Sequence, residues 1–294
     1  MAIGRSKNKP RQRQNPSRGA SSRRKVVAGV VQLGSRNGGN SPSKPNQPAL
    51  QFRWADAISE KEWAVYRSAM ETLRQAKIPF LLGGGFALAA FTGRWRDTKD
   101  IDFYIWPHHR QAVIDALTRA GFQDLYSRLP YDRNWIYRST QSGVIVDIIW
   151  SMANQRAQVD AAWFTGAGNI GLRNQQLLVV PLEEFIWSKL YILQRDHCDW
   201  TDIFNLLYAC GSQVHWNHLL ERLEEDLPLL RSLLLVYAWL CPPEALRLPR
   251  ALWKRLKLCA PEPSRQPPKR NRVRLLDTRG WFAAVQPPDY KLEI

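Results

Sequence analysis

Three aspartates lie in apolar surroundings, where a carboxylate is costly to bury. Asp100 and Asp102 are one residue apart in the run DIDFYIW, and Asp147 lies in the run VIVDIIW. Because side chains alternate between the two faces of a β-strand, Asp100 and Asp102 should face the same way while Ile101 and Phe103 point into the core. Two like charges this close raise each other's pKa unless a positive group lies near them.

A divalent cation would offset this repulsion. Mg²⁺ prefers hard oxygen ligands and is commonly held by one or two carboxylates together with substrate phosphates. If the strand of Asp147 lies beside the strand of the aspartate pair, the three carboxylates can hold two metal ions, one activating a hydroxyl and one bridging nucleotide phosphates. The alternative is that the aspartates end strands or form salt bridges with nearby basic residues, namely Arg94, Arg96 or Lys99.

A glycine turn precedes the aspartate pair. Gly84 and Gly85 would let the backbone N–H groups at the start of the next helix approach phosphate oxygens closely. A dinucleotide-binding fingerprint is the rival interpretation, but Leu88 stands where a third small residue belongs. The turn therefore favours a phosphate site, although close packing of a helix on a strand also requires glycine.

The elements that must position these residues follow from capping signals and periodicity. Ser59 followed by Glu62 is a capping-box pattern, which predicts the start of a helix. Apolar alternation and β-branched residues predict strands around the glycine turn and around both aspartate motifs. The predicted strands span residues 78–82, 100–106, 123–126, 134–138 and 143–150, and predicted helices span residues 86–91 and 111–120, the second opened by Pro107.

The pattern changes after about Pro181, where helical periods dominate. The helices predicted there span residues 182–193, 200–209, 216–223, 228–240 and 248–258. We therefore expect an α/β (α+β) fold, in which a small mixed sheet flanked by helices is followed by a C-terminal helical bundle. The expected parts are a disordered basic arm (1–50), a mixed domain (51–180), a helical domain (181–258) and a basic Pro/Arg-rich tail (259–294).

The positive charge of the chain is confined to its two ends. The formal net charge is +16, yet residues 51–243 carry 19 basic and 21 acidic residues. Residues 1–50 carry 11 basic and no acidic residues, and residues 244–294 carry 12 basic and 5 acidic residues. Basic ends of this kind contact RNA and other phosphate polymers non-specifically, or are simply solvated extensions.

Membrane and secretory signals are not evident. No apolar run reaches the roughly 20 residues that span a bilayer, and the N-terminus lacks the apolar stretch of a secretory signal. We expect a cytoplasmic protein, with an organelle transit peptide as the alternative for the Arg-rich start. The four cysteines, which show no metal-binding spacing, are expected to be reduced and mostly buried. His215 and His218 are expected on a helix face rather than at a metal.

The glycine pair and the aspartates resemble the signature of the nucleotidyltransferase superfamily with the DNA polymerase β-type palm. Gly84 and Gly85 match its Gly-Gly turn, Asp100 and Asp102 match its Asp-x-Asp pair, and Asp147 matches its third aspartate. Between Gly85 and Asp100 lie 14 residues, slightly more than in compact members. A weaker resemblance to small bacterial nucleotidyltransferase proteins extends the matching region to about residues 60–257.

The resemblance implies transfer of a nucleoside monophosphate from an NTP, such as ATP, to a hydroxyl acceptor with release of pyrophosphate. The implied cofactor is Mg²⁺ or Mn²⁺, held by all three aspartates, and Asp147 would also help to take the hydroxyl proton. Lys189 would neutralise the triphosphate, the alternative being a solvated helix lysine. Arg96 and Thr98 would orient phosphate or brace the strand. The implied nucleotide-binding residues are thus Gly84, Gly85, Arg96, Thr98 and Lys189.

The acceptor stays open at this level, since one fold serves many substrates. A small molecule fits the near-neutral middle of the chain, RNA fits the basic ends, and a protein acceptor is also compatible. Asp199 and Asp202, three residues apart on one predicted helix, are expected in a structural or acceptor-side role. The alternative function is a catalytically inert palm that serves as an RNA-binding or toxin–antitoxin-type interaction module.

Overall fold

The computed structural model describes residues 26–27, 30–31, 54–263 except 97, 154 and 196, and residues 272 and 275. The arm predicted for residues 1–50 and the tail predicted for residues 259–294 therefore lie mostly outside the described residues. Within the arm, two short strands, β1 (Val26–Val27) and β2 (Val30–Val31), pair antiparallel. The division of the chain into separate domains stays a prediction.

A seven-stranded mixed sheet forms the centre of the fold. Its strands follow the spatial order β5-β6-β7-β4-β3-β9-β8. In this sheet β4 runs parallel to β7 and β3 runs parallel to β9, while the other neighbours are antiparallel. The strands are β3 (Phe80–Leu82), β4 (Asp100–Ile105), β5 (Gln123–Asp124), β6 (Ile136–Gln141), β7 (Val144–Ile149), β8 (Gly168–Leu172) and β9 (Gln175–Val179).

Helices flank the sheet and make up most of the described residues after it, as predicted. The first four are α1 (Glu60–Gln75), α2 (Gly84–Thr92), α3 (Arg110–Arg119) and α4 (Ala161–Thr165). The helices after the sheet are α5 (Leu182–Leu190), α6 (Trp200–Cys210), α7 (Trp216–Leu223), α8 (Leu227–Leu240), α9 (Pro242–Ala245) and α10 (Arg250–Arg255). Short 3-10 helices lie at Trp54–Ala57, Pro107–His109, Gly211–Gln213 and Glu224–Asp226.

Helix α1 begins at the predicted capping box. The backbone N–H of Glu62 donates to Ser59 Oγ at 3.2 Å, and the backbone N–H of Ser59 donates to Glu62 Oε2 at 2.9 Å. The helix then buries Tyr66, Met70 and Leu73 at helical spacing. Each partner thus satisfies a backbone donor at the helix start, and the buried stripe fixes which face of α1 meets the core.

Strand β4 shows the predicted alternation of faces. Ile101, Phe103 and Ile105 are fully buried, whereas Asp100 and Asp102 on the opposite face are partly exposed. Burial of three large apolar side chains fixes the register of β4, because a slip by one residue would turn the apolar side chains out of the core. The orientation of the aspartate pair is therefore a consequence of core packing.

Part of the sheet was not anticipated from the sequence. The segment between residues 150 and 182 carries α4 and the β8–β9 hairpin, whose turn places Arg173 and Asn174 at positive φ. Strand β9 enters the sheet by parallel pairing with β3, which lies about a hundred residues earlier in the chain. In addition, Pro107 opens a 3-10 turn before α3, and the predicted helix 248–258 is the shorter α10.

The hydrophobic core continues across residue 180. Phe91 on α2 stacks on Phe185 of α5, with ring centroids 6.3 Å apart, and both belong to one buried cluster. All four cysteines are free; Cys210 and Cys241 are buried, and the other two are exposed, so burial is less general than expected. In the portion of the chain that the structure describes, no helix has the length and hydropathy required to cross a bilayer.

Candidate active site

The sheet brings the three predicted aspartates together. Strand β4 pairs with β7 in parallel, and in this register Asp102 lies directly beside Asp147. Neighbouring strands are about 4.8 Å apart, and residues in register share one face of the sheet. Asp100 lies two residues before Asp102 on that same face. The condition set by the sequence, that the two aspartate strands be neighbours, is therefore met.

A residue that the sequence did not single out, Arg138, completes this cluster. It lies on β6 in register with Asp147. Its Nε donates to Asp147 Oδ1 at 2.9 Å, and its Nη2 donates to Asp147 Oδ2 at 2.5 Å. The same Nη2 is 3.7 Å from Asp100 Oδ2. Nothing in the local sequence around Arg138 marks it, because the β6–β7 pairing alone brings it to the aspartates.

Gly84 permits the close approach of helix α2 to the aspartates. Its φ is +50°, and a Cβ at this position would overlap Oδ2 of Asp102. The backbone N–H of Gly83 donates to the carbonyl oxygen of Asp102 at 2.9 Å, so the turn is also tied to β4 through the backbone. An alanine at 84 would thus need both an unfavourable φ and a displacement of the Asp102 carboxylate.

The amino end of α2 points its first N–H groups at this region. The first intrahelical bond joins the N–H of Ala87 to the carbonyl of Gly83 at 2.8 Å, so the preceding N–H groups have no acceptor within the helix. Thr98 lies against Gly85 and donates from Oγ1 to Asp100 Oδ1 at 2.5 Å. Thr98 therefore holds one aspartate in place, and the roles expected for it, orienting phosphate or bracing the strand, stay predictions.

Lys189 is buried rather than solvated. Its Nζ donates to Asp199 Oδ2 at 2.6 Å and to Asp202 Oδ2 at 2.9 Å. Arg96 also lies beside this cluster, with its Nη2 3.7 Å from Asp202 Oδ2. The structure therefore brings Lys189 and Arg96 to the acids at the start of α6 rather than into contact with Asp100, Asp102 or Asp147. The alternative of a solvated helix lysine is wrong, because α5 packs with its whole length in the core.

The electrostatics of the cluster oppose full ionisation. Burial raises the pKa of Asp102 well above its usual range, and the charges of Asp100 and Asp147 raise this pKa further, while Lys189 and Arg138 act in the opposite direction. Burial also raises the pKa of Asp147 to about 6, although the hydrogen bonds and charge of Arg138 lower it. The fold thus keeps acids where their charge is unfavourable, which is common at functional sites.

The donor set suits a hard divalent cation. Asp100 and Asp102 present carboxylate oxygens on one face, and Mg²⁺ is commonly held by one or two carboxylates with substrate phosphates. Both oxygens of Asp147 already accept hydrogen bonds from Arg138. Accordingly, among the described residues no group of three His, Cys, Asp or Glu side chains is arranged to hold a metal ion. The pair therefore fits such a cation, and the third aspartate would have to exchange its partner.

Other places in the described chain offer less chemistry. His218 on α7 has its Nε2 2.6 Å from Glu184 Oε1 on α5, in keeping with the expectation of a helix face, whereas His215 lies just before α7 at its N-cap. Two cavities of ≈ 370 and ≈ 390 Å³ lie beside α7 and at the β6–β7 turn. Neither is lined by a carboxylate, so the aspartate cluster is the strongest candidate site.

A family profile identifies the group of proteins to which these residues belong. The profile of a family described as uncharacterised nucleotidyltransferase matches residues 23–241, which is more than half of the chain. The chain belongs to this nucleotidyltransferase family. The matched region contains the glycine turn, all three aspartates and Lys189. No curated protein matches the chain.

Solved structures that match part of the chain include an antibiotic-resistance factor and an antibiotic adenylyltransferase. The antibiotic-resistance factor ANT(2'')-Ia is 16% identical, with a TM-score of 0.41, over 56% of this chain and 90% of that one. The lincosamide antibiotic adenylyltransferase LnuA is 20% identical, with a TM-score of 0.37, over 51% of this chain and 96% of that one. JHP933 from Helicobacter pylori is 17% identical, with a TM-score of 0.34, over 68% of this chain and 95% of that one. These similarities are too low to indicate an acceptor.

The glycine turn of this family member yields a first prediction. Gly84→Ala and Gly93→Ala both place alanine at positive φ, +50° and +69°, which costs roughly 1–2 kcal/mol. Only the Cβ at 84 also overlaps Asp102, since a Cβ at 93 meets nothing within 4 Å. Denaturant unfolding should therefore show a loss of unfolding free energy for Gly84→Ala that exceeds the loss for Gly93→Ala by about 1–3 kcal/mol. Equal losses would contradict the close approach.

The buried lysine yields a second prediction. Lys189→Met leaves Asp199 and Asp202 without their shared cation, and breaking a buried ion pair in this way costs about 3–5 kcal/mol of unfolding free energy. The control is Arg67→Met, which removes an exposed pair with Glu71 at 3.7 Å and should cost about 0.5 kcal/mol or less. Chemical denaturation of both variants measures the difference. A Lys189→Met protein as stable as the control would show that the cluster is not a buried ion pair.

The raised pKa of Asp102 predicts a pH dependence of stability. A carboxyl whose pKa is raised by folding adds stability below its ordinary value of 3.8, and this contribution is lost as the pH rises through the raised pKa. Without divalent metal at pH 7, Asp102→Asn should therefore be more stable than the parent. The advantage should shrink as the pH falls towards about 4. Asp56→Asn, at an exposed site, should show neither effect, and a parent more stable than Asp102→Asn at pH 7 would refute the assignment.

Proposed function

We propose that this protein is a metal-dependent nucleotidyltransferase that moves a nucleoside monophosphate from an NTP to a hydroxyl acceptor. The observation that carries the proposal is the register of β4 and β7, which sets Asp102 beside Asp147. Asp100 on the same strand face and Gly84 at the start of α2 complete the arrangement. Membership of the nucleotidyltransferase family supports the general class of reaction.

Asp100 and Asp102 would hold the divalent cation. Thr98 already fixes Asp100 through a hydrogen bond of 2.5 Å, and Gly84 keeps open the space in which the Asp102 carboxylate lies. When bound, Mg²⁺ or Mn²⁺ would neutralise phosphate charge and favour the deprotonated form of the attacking hydroxyl. The protein would contribute the fixed positions of the two carboxylates, since both lie on one strand of a buried sheet.

The start of α2 would receive a phosphate group. Its first N–H groups have no intrahelical acceptor, and the positive end of the helix dipole favours an anion. Gly84 and Gly85 lack side chains that would keep a phosphate away from these groups. The loop that precedes β4 carries three basic residues, Arg94, Arg96 and Lys99. We assign Arg96, which is partly exposed, to the same phosphate group.

Asp147 would accept the proton of the attacking hydroxyl. Its pKa of about 6 is close to the range in which a general base is efficient near neutral pH. The hydroxyl oxygen then forms a bond to the α-phosphorus, the bond from the α-phosphorus to the bridging oxygen breaks, and the electron pair leaves with pyrophosphate. The proton passes to an Asp147 carboxylate oxygen, so atoms and charge balance.

Lys189 would act through the electrostatic field rather than by contact. Its ammonium group is shared by Asp199 and Asp202, and its charge lowers the pKa of Asp102. We therefore assign two roles to Lys189. It holds α5 against α6, and its charge partly neutralises the aspartate cluster from within the core. The family resemblance implies that Lys189 neutralises the triphosphate. Lys189 would then do so through its electrostatic field, without contacting the phosphates.

The decisive experiment is a transfer assay. The purified full-length chain, with Mg²⁺ or Mn²⁺ and each labelled NTP in turn, should move label onto a component of a cell extract. Asp100→Asn and Asp102→Asn should each lower the transfer rate by about a thousandfold or more, because a catalytic metal ion supplies several kcal/mol. Asp56→Asn should leave the rate unchanged. Mass spectrometry of the labelled product identifies the acceptor.

Two outcomes would refute the proposal. Transfer by the Asp100→Asn and Asp102→Asn variants at the rate of the parent would separate the activity from these carboxylates. Failure of the parent to transfer any NMP, with either metal and all four NTPs, would favour the inert palm instead. Circular dichroism of each variant ensures that a lost rate is not a lost fold.

A further inference from the structure

Arg138 is the positive group that contacts two aspartates of the cluster at once. Its guanidinium makes two parallel hydrogen bonds to Asp147, from Nε at 2.9 Å and from Nη2 at 2.5 Å. Nη2 is also 3.7 Å from the nearest carboxylate oxygen of Asp100. Strand β6 lies beside β7, which in turn lies beside β4, so the guanidinium reaches carboxylates on both aspartate strands.

Asp147 needs a positive partner whenever it is ionised. Its side chain is only 1% exposed, and an unpaired charge buried to this degree is strongly destabilising. The other buried cation nearby, Lys189, already donates to Asp199 and Asp202. Arg138 therefore supplies the charge that makes an ionised Asp147 tolerable in the metal-free protein.

The same contacts exclude a metal ion from Asp147. Both carboxylate oxygens accept hydrogen bonds from the guanidinium, and a divalent cation close to Asp100 would lie within a few ångströms of the positive Nη2. Two positive charges at such distances repel each other strongly in a partly buried site. For Asp147 to join Asp100 and Asp102 in holding the metal of the proposed function, the guanidinium has to move away.

Arg138 is free to make such a movement. Its side chain is 27% exposed, in contrast to that of Asp147, and it projects from β6, the second strand from the sheet edge. The Arg138 stem has several rotatable bonds, whereas Asp147 is fixed on β7 between β4 and β6. Exchange of partners is therefore a side-chain rearrangement of Arg138 that leaves the strands in place.

We propose that Arg138 is a built-in counter-ion that competes with the divalent cation for Asp147 and thereby sets the metal affinity of the site. It is a positioning residue, not a catalytic one. The inference rests on the proposed function, because it concerns the metal that the function requires. It adds a residue outside the glycine turn and the three aspartates, and it makes occupation of Asp147 by Arg138 or by metal mutually exclusive.

The test compares Arg138→Met, Arg138→Lys and the parent in full-length protein. Mn²⁺ binding is measured by electron paramagnetic resonance, and thermal unfolding is measured with and without Mn²⁺. We expect Arg138→Met to unfold at a lower temperature than the parent without metal, to bind Mn²⁺ about tenfold or more tightly, and to gain more stability from Mn²⁺. Arg138→Lys keeps the charge but not the two parallel hydrogen bonds. Its unfolding temperature and its Mn²⁺ affinity should therefore lie between those of the parent and of Arg138→Met.

A matched control removes a similar pair outside the cluster. Arg133→Met breaks the contact of Arg133 with Asp124, also 2.5 Å long but more exposed, and should leave Mn²⁺ binding unchanged. If Arg138 only braced β6 against β7, Arg138→Met would be destabilised and Mn²⁺ would not restore it. That result, or Mn²⁺ binding no tighter than in the parent, would overturn the inference.

Failure of the inference is distinguishable from failure of the proposed function. If the parent transfers NMP and binds Mn²⁺ as tightly as Arg138→Met does, the proposed function stands and the competition is refuted. If the parent transfers nothing but Arg138→Met binds Mn²⁺ more tightly than the parent, the competition stands and the proposed function is refuted. If Arg138→Met does not fold, Arg138→Lys is compared with the parent instead. Mn²⁺ binding by Arg138→Lys that is no tighter than in the parent would then refute the competition.

Discussion

Mutual repulsion of three carboxylates on one face of a sheet is the constraint on which the rest of this structure depends. Asp102 and Asp147 are in register on neighbouring strands, and burial raises the pKa of both. The fold offsets this with Arg138 on the exposed side and Lys189 on the core side. The arrangement is unfavourable for stability alone, because apolar residues could fill a sheet at lower cost, and buried acids of this kind are common at functional sites.

The surrounding elements hold this site rigidly. Three fully buried side chains fix the register of β4, and Gly84 lets the start of α2 come within contact of Asp102. The acids thus lie on core strands, which hold side chains more rigidly than loops do. Lys189 and its partners Asp199 and Asp202 extend the charge network into α5 and α6, which connects the site to the helical half of the chain.

Much of the fold was predictable because its signals are local. The capping box at Ser59, the glycine turn and the alternation around Asp102 each involve a few consecutive residues, and the corresponding elements lie within a few residues of their predicted bounds. The β8–β9 hairpin was missed because its place is decided by pairing with β3, a contact between segments far apart in the chain. The burial of Lys189 was not foreseen for the same reason.

The sequence by itself determined which residues carry the negative charge, which face of β4 they share and which turn precedes them, since these follow from strand period and glycine content. It also identified the nucleotidyltransferase family to which the chain belongs. Only the tertiary structure decided that β7 lies beside β4, that Arg138 holds Asp147, and that Lys189 is paired with acids on α6. Each of these depends on which strands and helices become neighbours, and neighbour choice is set by packing of the whole core rather than by any short stretch of residues.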